Sequence, residues 1–279
     1  MDGWTILTSR KNETVLSAAA LREKKARRAS GTFGFEGYKL LGEALDAGIA
    51  PVRVFATAQA KGAYEELLSR LPETTEKYEV TDEVYRKMTE ENAPQGIFTV
   101  SSHLDKSVKF TTIYEKAEND VSDRILLCDG LQDPGNVGTV IRGAAAMGFG
   151  RLVFSDDCAD LYHARTLRGA MGALFRQRID VTDDMAAYVR SLQKAGRRVF
   201  AAALNGHAAI LGETPVSADD CFLVGNEGHG LSDALCAVTD GCVRIPMEAG
   251  NESYNAAMAA TLLMWECYRA DRLKQRSHS

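Results

Sequence analysis

The chain reads as an α/β protein of two domains, each alternating strands and helices around a largely parallel sheet. Three observations predict this. Its 279 residues, 45% of them hydrophobic, suit two modest domains and give each a sizeable core. Apolar runs of strand length recur between helical periods, and strands separated by helices imply parallel pairing. The alternation is interrupted once, by a polar stretch in which KAENDVSD at 116–123 lacks any apolar period.

The first domain is expected over 1–107. A helical pattern runs from Asn12 to about Arg28, and TFGFEG at 32–37 reads as a strand entering a helix that ends at Gly48. PVRVFAT supplies a strand ending at Thr57. A helix around Tyr64 to Arg70, a strand near Lys77 to Val80, a helix from Asp82 and the strand GIFTVSS from Gly96 to Ser102 complete the unit. A linker is expected over 108–120 and the second domain over 121–279. There, strands are expected near 125–128, 151–154, 198–203, 221–225 and 242–245, with helices near 137–147, 160–171, 184–195 and 254–270. VFAAAL at 199–204 is apolar without alternation, as for a strand covered on both faces.

Six cysteines show neither a CxxC pair nor metal-ligand spacing, so reduced structural thiols and no metal are expected. The start MDGWTILTSRKN lacks the basic and apolar regions of a signal peptide, and no apolar stretch reaches membrane-spanning length. The expectation is a cytoplasmic protein without a membrane partner. A net charge of −5 does not advertise a polyanion partner, yet charge is locally uneven. Between Arg10 and Arg28 seven basic residues face two acidic ones, and Arg22, Lys24, Lys25, Arg27 and Arg28 crowd the end of the first helix, where they suit RNA phosphates or, more blandly, a solvated face with cations at a helix C-terminus.

Three segments carry candidate chemistry. In DPGNVGTVIRG, Pro134 and Gly135 enforce a turn after an apolar strand and Asn136 suits the helix cap. Capping leaves Arg142 unexplained, because a guanidinium on a largely apolar helix needs an anionic or polar partner. In LVGNEGHG a strand ends at Gly225, and Glu227 lies between glycine corners compact enough for a ligand to approach the main chain. In IPMEAGNESYNAAMAATLLMWE, Pro246 ends a strand, Ser253 or Asn251 can cap the next helix, and Asn255 exceeds what capping requires. All three lie at the carboxyl ends of strands, where open α/β sheets bind ligands.

Together these segments resemble the three signature motifs of the SpoU, or TrmH, family of RNA ribose methyltransferases in the SPOUT superfamily. Asn136 and Arg142 stand at the Asn and Arg of the first motif, GNEGHGLS at 225–232 is similar to the second, and IPM with Glu252-Ser253-Tyr254-Asn255 to the third. RGAMGALFR at 168–176 resembles the family's Ser/Gly-rich helix end, and residues 30–57 its substrate-binding domain. Two departures are Tyr254, where Leu is common, and Asn226, where Ala or Pro is common.

The resemblance implies a C-terminal SPOUT domain with a trefoil knot behind a small α/β RNA-binding domain, a homodimer, and methyl transfer from S-adenosylmethionine to a ribose 2′-hydroxyl. Ribosomal RNA is the preferred substrate and transfer RNA the alternative. It also implies a cofactor site of backbone groups near Leu204, Gly225, Ile245, Met247 and Tyr254. Its catalytic set is Arg142, Asn136, Glu227, Ser253 and Asn255, with Asn136 orienting Arg142 or the ribose and Glu227 fixing the loop and the Arg142 side chain. Arg142 stays protonated, so a role on the neighbouring phosphate suits it better than that of a base. His163 and His229 read as incidental. Two rival classes rank lower: a dinucleotide-binding oxidoreductase, whose G-x-G-x-x-G spacing PGNVGTVIRG lacks, and an inactive RNA-binding relative, which would be expected to lose Arg142 or Asn255.

Overall fold

A computed structural model describes residues 3–104, 123–204 and 208–277, so the expected linker at 108–120 lies outside the described residues. Two compact units emerge: Met1–Leu104 with Tyr162–Arg176, and Asp105–Leu161 with Gln177–Ser279. The sequence reading assigned 162–176 to the second domain. Aromatic packing places it in the first unit, with Tyr162 stacked on Phe33 at 4.5 Å between ring centroids and Phe175 against Phe35 at 5.4 Å.

The first unit is built on a five-stranded sheet. Its strands are β1 (Trp4–Leu7), β2 (Thr32–Glu36), β3 (Pro51–Thr57), β4 (Glu76–Val80) and β5 (Ile97–Ser102), in the order β1-β4-β3-β5-β2. β1, β4 and β3 are parallel, and β5 runs antiparallel to β3 and β2. β1 escapes sequence reading because it is a short edge strand with no buried residue. One side of the sheet packs Phe55 and Val100 against Val15, Ala18, Val84 and Met88 from the helices.

The single helix expected over residues 12–28 is two, Glu13–Ala20 and Lys24–Ser30. Arg27 stabilises the break. Its guanidinium is buried and donates to the carbonyls of Leu21 (2.7 Å) and Arg22 (2.6 Å), which the broken helix leaves without partners.

The second unit holds a seven-stranded, wholly parallel sheet of β6 (Ile125–Cys128), β7 (Arg151–Ser155), β8 (Arg178–Thr182), β9 (Val199–Ala202), β10 (Ala209–Ile210), β11 (Cys221–Val224) and β12 (Gly241–Arg244). The order is β10-β12-β9-β11-β6-β7-β8, so β11 inserts between β6 and β9. Every residue of β6, β7 and β11 is buried, which the unbroken apolar character of β6 and β11 anticipates, while β7 also buries Arg151 and Ser155 at its ends. β9 departs from expectation: it ends at Ala202, and Phe200 and Ala202 are only half-buried. β8 was missed because Asp180 interrupts its apolar pattern. Inside the sheet that carboxylate accepts from the Tyr188 hydroxyl at 3.1 Å and faces Arg151 at 3.9 Å.

Candidate active site

Four neighbouring strands, β12, β9, β11 and β6, point their carboxyl ends the same way, and the chain leaving each carries residues singled out by sequence. Ile245 and Met247 follow β12, Leu204 follows β9, Gly225 follows β11, and Pro134, Gly135 and Asn136 follow β6. Such an edge collects backbone donors and acceptors that no longer pair within the sheet. Gly225 has no room for a side chain: an added Cβ would stand 2.5 Å from the carbonyl carbon of Gly230 and 2.7 Å from the nitrogen of Leu231. The 225–230 loop therefore folds directly back onto the strand end, closed by mutual backbone hydrogen bonds between Asn226 and Gly230 of 3.2 and 3.0 Å.

Three distant segments meet through one chain of hydrogen bonds. The Asn255 amide donates to Asn136 Oδ1 at 2.9 Å, and the Asn136 amide donates to Glu227 Oε1 at 2.9 Å. Glu227 also accepts from the backbone N–H of Gln132 (3.0 Å) and Asp133 (3.2 Å). Partial burial would push this carboxyl up, but the Asn136 amide and the backbone N–H groups outweigh it and hold the pKa below the ordinary 4.5. Glu227 is thus an ionised acceptor that ties the second motif to the first. Asn226 ties them again: its amide donates to the Gly130 carbonyl at 2.7 Å, while its Oδ1 accepts from Gly228 (2.8 Å) and His229 (3.1 Å).

Helix capping follows other residues than the sequence suggested. Asp133, not Asn136, caps the helix Pro134–Ala146, with its carboxylate accepting from Gly135 at 2.6 Å and Asn136 at 3.1 Å. Asn255, rather than Ser253 or Asn251, caps the helix Ala256–Ser277, accepting from Ala257 and Met258 at 2.9 and 3.2 Å. This frees the Asn136 side chain to act as a bridge.

Comparison with known proteins fits this geometry. Residues 123–265 match the model of the SpoU rRNA Methylase family. The chain belongs to that family. Residues 12–99 match an MRM3-like substrate binding domain. The chain is 33% identical over 267 residues to the 23S rRNA (guanosine(2553)-2′-O)-methyltransferase RlmP of Bacillus subtilis, covering 93% of this chain and 97% of that one. Among solved structures, a putative RNA methyltransferase of the TrmH family from Porphyromonas gingivalis superposes with a TM-score of 0.77 at 26% identity, covering 93% of this chain and 98% of that one. An AdoMet-bound rRNA methyltransferase from Sinorhizobium meliloti shares the fold, with a TM-score of 0.80 at 24% identity over 96% of this chain and 98% of that one.

Within the SpoU motifs, Arg142 departs most from the sequence reading. It is exposed, and among the described residues it forms no hydrogen bond or ion pair with Asn136, Glu227 or any other side chain. Ser253 is also exposed, outside the hydrogen-bond chain that holds Asn255. The Tyr254 hydroxyl donates to the Pro246 carbonyl at 3.1 Å, which closes the loop after β12. Leu204 is 60% exposed, a large apolar side chain left uncovered at the strand edge. His163 Nδ1 accepts from the Arg165 N–H at 3.1 Å as a helix cap, whereas His229 enters the loop through its backbone N–H, which donates to Asn226.

The basic cluster divides. Lys24, Lys25 and Arg28 are exposed, whereas Arg27 is 3% exposed and structural. Arg10 pairs with Glu83 at 3.3 Å on the surface, and Arg22 donates to the carbonyls of Ala19 and Lys87. Sequence reasoning missed Asp133 and Asn226. An Asp directly before Pro at a helix start is a readable cap signal; Asn226 suits the local turn it makes with Gly228 and His229, but no local signal marks its bond to Gly130 on another strand's loop. Among the described residues no group of acidic, His or Cys side chains is placed to hold a metal, and no helix is long and apolar enough to cross a membrane.

Proposed function

We propose that this protein transfers a methyl group from S-adenosylmethionine to a ribose 2′-hydroxyl of ribosomal RNA in the cytoplasm. The observation that carries the reading is the Asn255–Asn136–Glu227 chain, which joins all three SpoU motifs in a protein similar over 93% of its length to RlmP. The donor supplies an electrophilic methyl on a sulfonium. Its fit rests on the strand edge: half-buried Ile245 and Met247 and uncovered Leu204 offer apolar surface for an adenosine, and the loops at Gly225 and Tyr254 offer backbone polar groups. The reading includes the family's knotted backbone at β11 and β12.

The chain's own work is alignment and charge. The Arg142 guanidinium holds the phosphate beside the target ribose and lowers the cost of forming the alkoxide, the 2′-hydroxyl proton leaving to phosphate or water. Asn136 is fixed from both ends, so its amide is oriented before RNA arrives. The domain at 1–107 holds the RNA, with Lys24, Lys25 and Arg28 as phosphate contacts. A homodimer agrees with Met258, Leu262 and Trp265, exposed at 57%, 37% and 49% along one stripe of the last helix.

Mapping ribose methylation in total RNA from cells with and without the gene tests this. One ribosomal position should lose its methyl group in the deletion strain; loss confined to transfer RNA, or no loss at all, overturns the assignment.

A further inference from the structure

The first unit contains a cleft of about 460 Å³ beside the carboxyl ends of the parallel strands β3 and β4. Its size lies low in the roughly 300–1,000 Å³ range of small-molecule sites, with room for one planar ring system and not for a helix. Thr57, Ala60 and Gly96 form part of its wall. Gly96 takes φ +78°, and a Cβ there would stand 2.7 Å from Thr57 Oγ1 and 2.8 Å from Ala60 Cβ, so only glycine leaves this wall intact.

The lining chemistry favours a neutral ring over an anion. Arg86 is the one cation among the lining residues, and Asp82, one helical turn before it, is the one anion, so the charges offset. Gln59 and Gln95 are exposed, and among the described residues neither side-chain amide is engaged in a hydrogen bond. Each amide presents a donor and an acceptor together, the pairing that a base edge requires. Tyr64 lines the cleft and is backed by Tyr38, stacked at 4.4 Å and 13°, which fixes the ring as a platform. The Tyr85 hydroxyl, in a residue 2% exposed, is near Glu36 and Gly96 but within hydrogen-bond geometry of no group.

We propose that this cleft receives one unpaired nucleobase of the RNA substrate, stacked on Tyr64 and read by the amides of Gln59 and Gln95. Sequence-specific RNA recognition relies on such splayed bases, stacked on aromatic rings and hydrogen-bonded along their edges. The inference rests on RNA being the substrate, and it adds a specificity element far in sequence from the transfer motifs.

The test uses the full chain and a 23S ribosomal RNA transcript, measured by filter binding at several salt concentrations. Gln95→Ala and Tyr64→Leu should each weaken binding roughly tenfold, since base–aromatic stacking and edge contacts are of that order, with the salt slope unchanged. Gln95 is exposed, so its variant keeps the test valid should Tyr64→Leu perturb the fold. In parallel, the transcript carrying 4-thiouridine, irradiated with the parent protein, should cross-link within 57–64 or 82–96. Parental affinity in both variants overturns the proposal. So does parental affinity in Tyr64→Leu with a slope reduced by about one in Arg86→Ala, which marks a phosphate site. Both readouts are binding: a protein that holds RNA here yet methylates none sinks the functional reading alone, and a methylating protein without these contacts sinks the cleft alone.

Discussion

Asn136 reaches Glu227 across 91 residues of sequence, its amide donating to the carboxylate at 2.9 Å. The other end of the same side chain accepts from Asn255, 119 residues away, so one amide is held in a single orientation by two loops. Neither bond is buried, and their contribution to stability is accordingly modest. Their value lies in geometry. Asn136→Ala should lower methyl transfer by at least about tenfold while costing about 1 kcal/mol or less of stability, as read by turnover with ribosomal RNA beside thermal melting.

Glu227 gives a pH signature. Its folded-state pKa is depressed below 4.5, so the stabilisation it brings is complete above that value and is lost as pH falls through the lower folded value. Melting temperatures of the parent and of Glu227→Gln should therefore differ at pH about 6 and converge toward pH about 3. A difference that widens on acidification contradicts the hydrogen-bonded carboxylate described above.

Among the described residues Arg142 has no partner, so replacing it should leave the fold unchanged. Arg142→Lys retains the charge and loses the planar fork, and it should reduce turnover roughly 10- to 100-fold with an unchanged melting temperature. Parental turnover in this variant removes the phosphate-positioning role.

Gly225→Ala makes the opposite separation. Its methyl group would meet backbone atoms of Gly230 and Leu231 rather than a movable side chain. The loop must shift, at about 1–3 kcal/mol, and the heat of S-adenosylmethionine binding in calorimetry should fall with it. Unaltered donor binding would place the cofactor elsewhere.

Within the basic cluster, Arg27→Ala strips donors from the carbonyls of Leu21 and Arg22 and should destabilise the protein by about 1–3 kcal/mol. Lys24→Ala and Lys25→Ala should instead leave melting unchanged and each reduce the salt slope of RNA binding by about one. That outcome would separate neighbours in sequence into the structural Arg27 and the proposed RNA contacts Lys24 and Lys25.

Local pattern made much of this legible. The unbroken apolar runs of β6 and β11 announced buried parallel strands, and the residue types at Asn136, Glu227 and Asn255 marked the segments that converge. Where the pattern misled, a local signal had two readings. Asn136 suits a cap as well as a bridge, and only the presence of Asp133 three residues earlier settles which it is. Arg27 looks like its exposed neighbours until the helix breaks before it and turns it inward.

By itself, then, the sequence determined the alternation of elements, the apolar faces and the polar residues at strand ends, because each depends on side-chain periods within a few residues. Tertiary structure decided the rest: β11 between β6 and β9, segment 162–176 in the first unit, Arg142 without a partner among the described residues, and one wall of a cleft set by Gly96. These depend on which distant surfaces become neighbours once the sheet order is fixed, and no local period encodes that order.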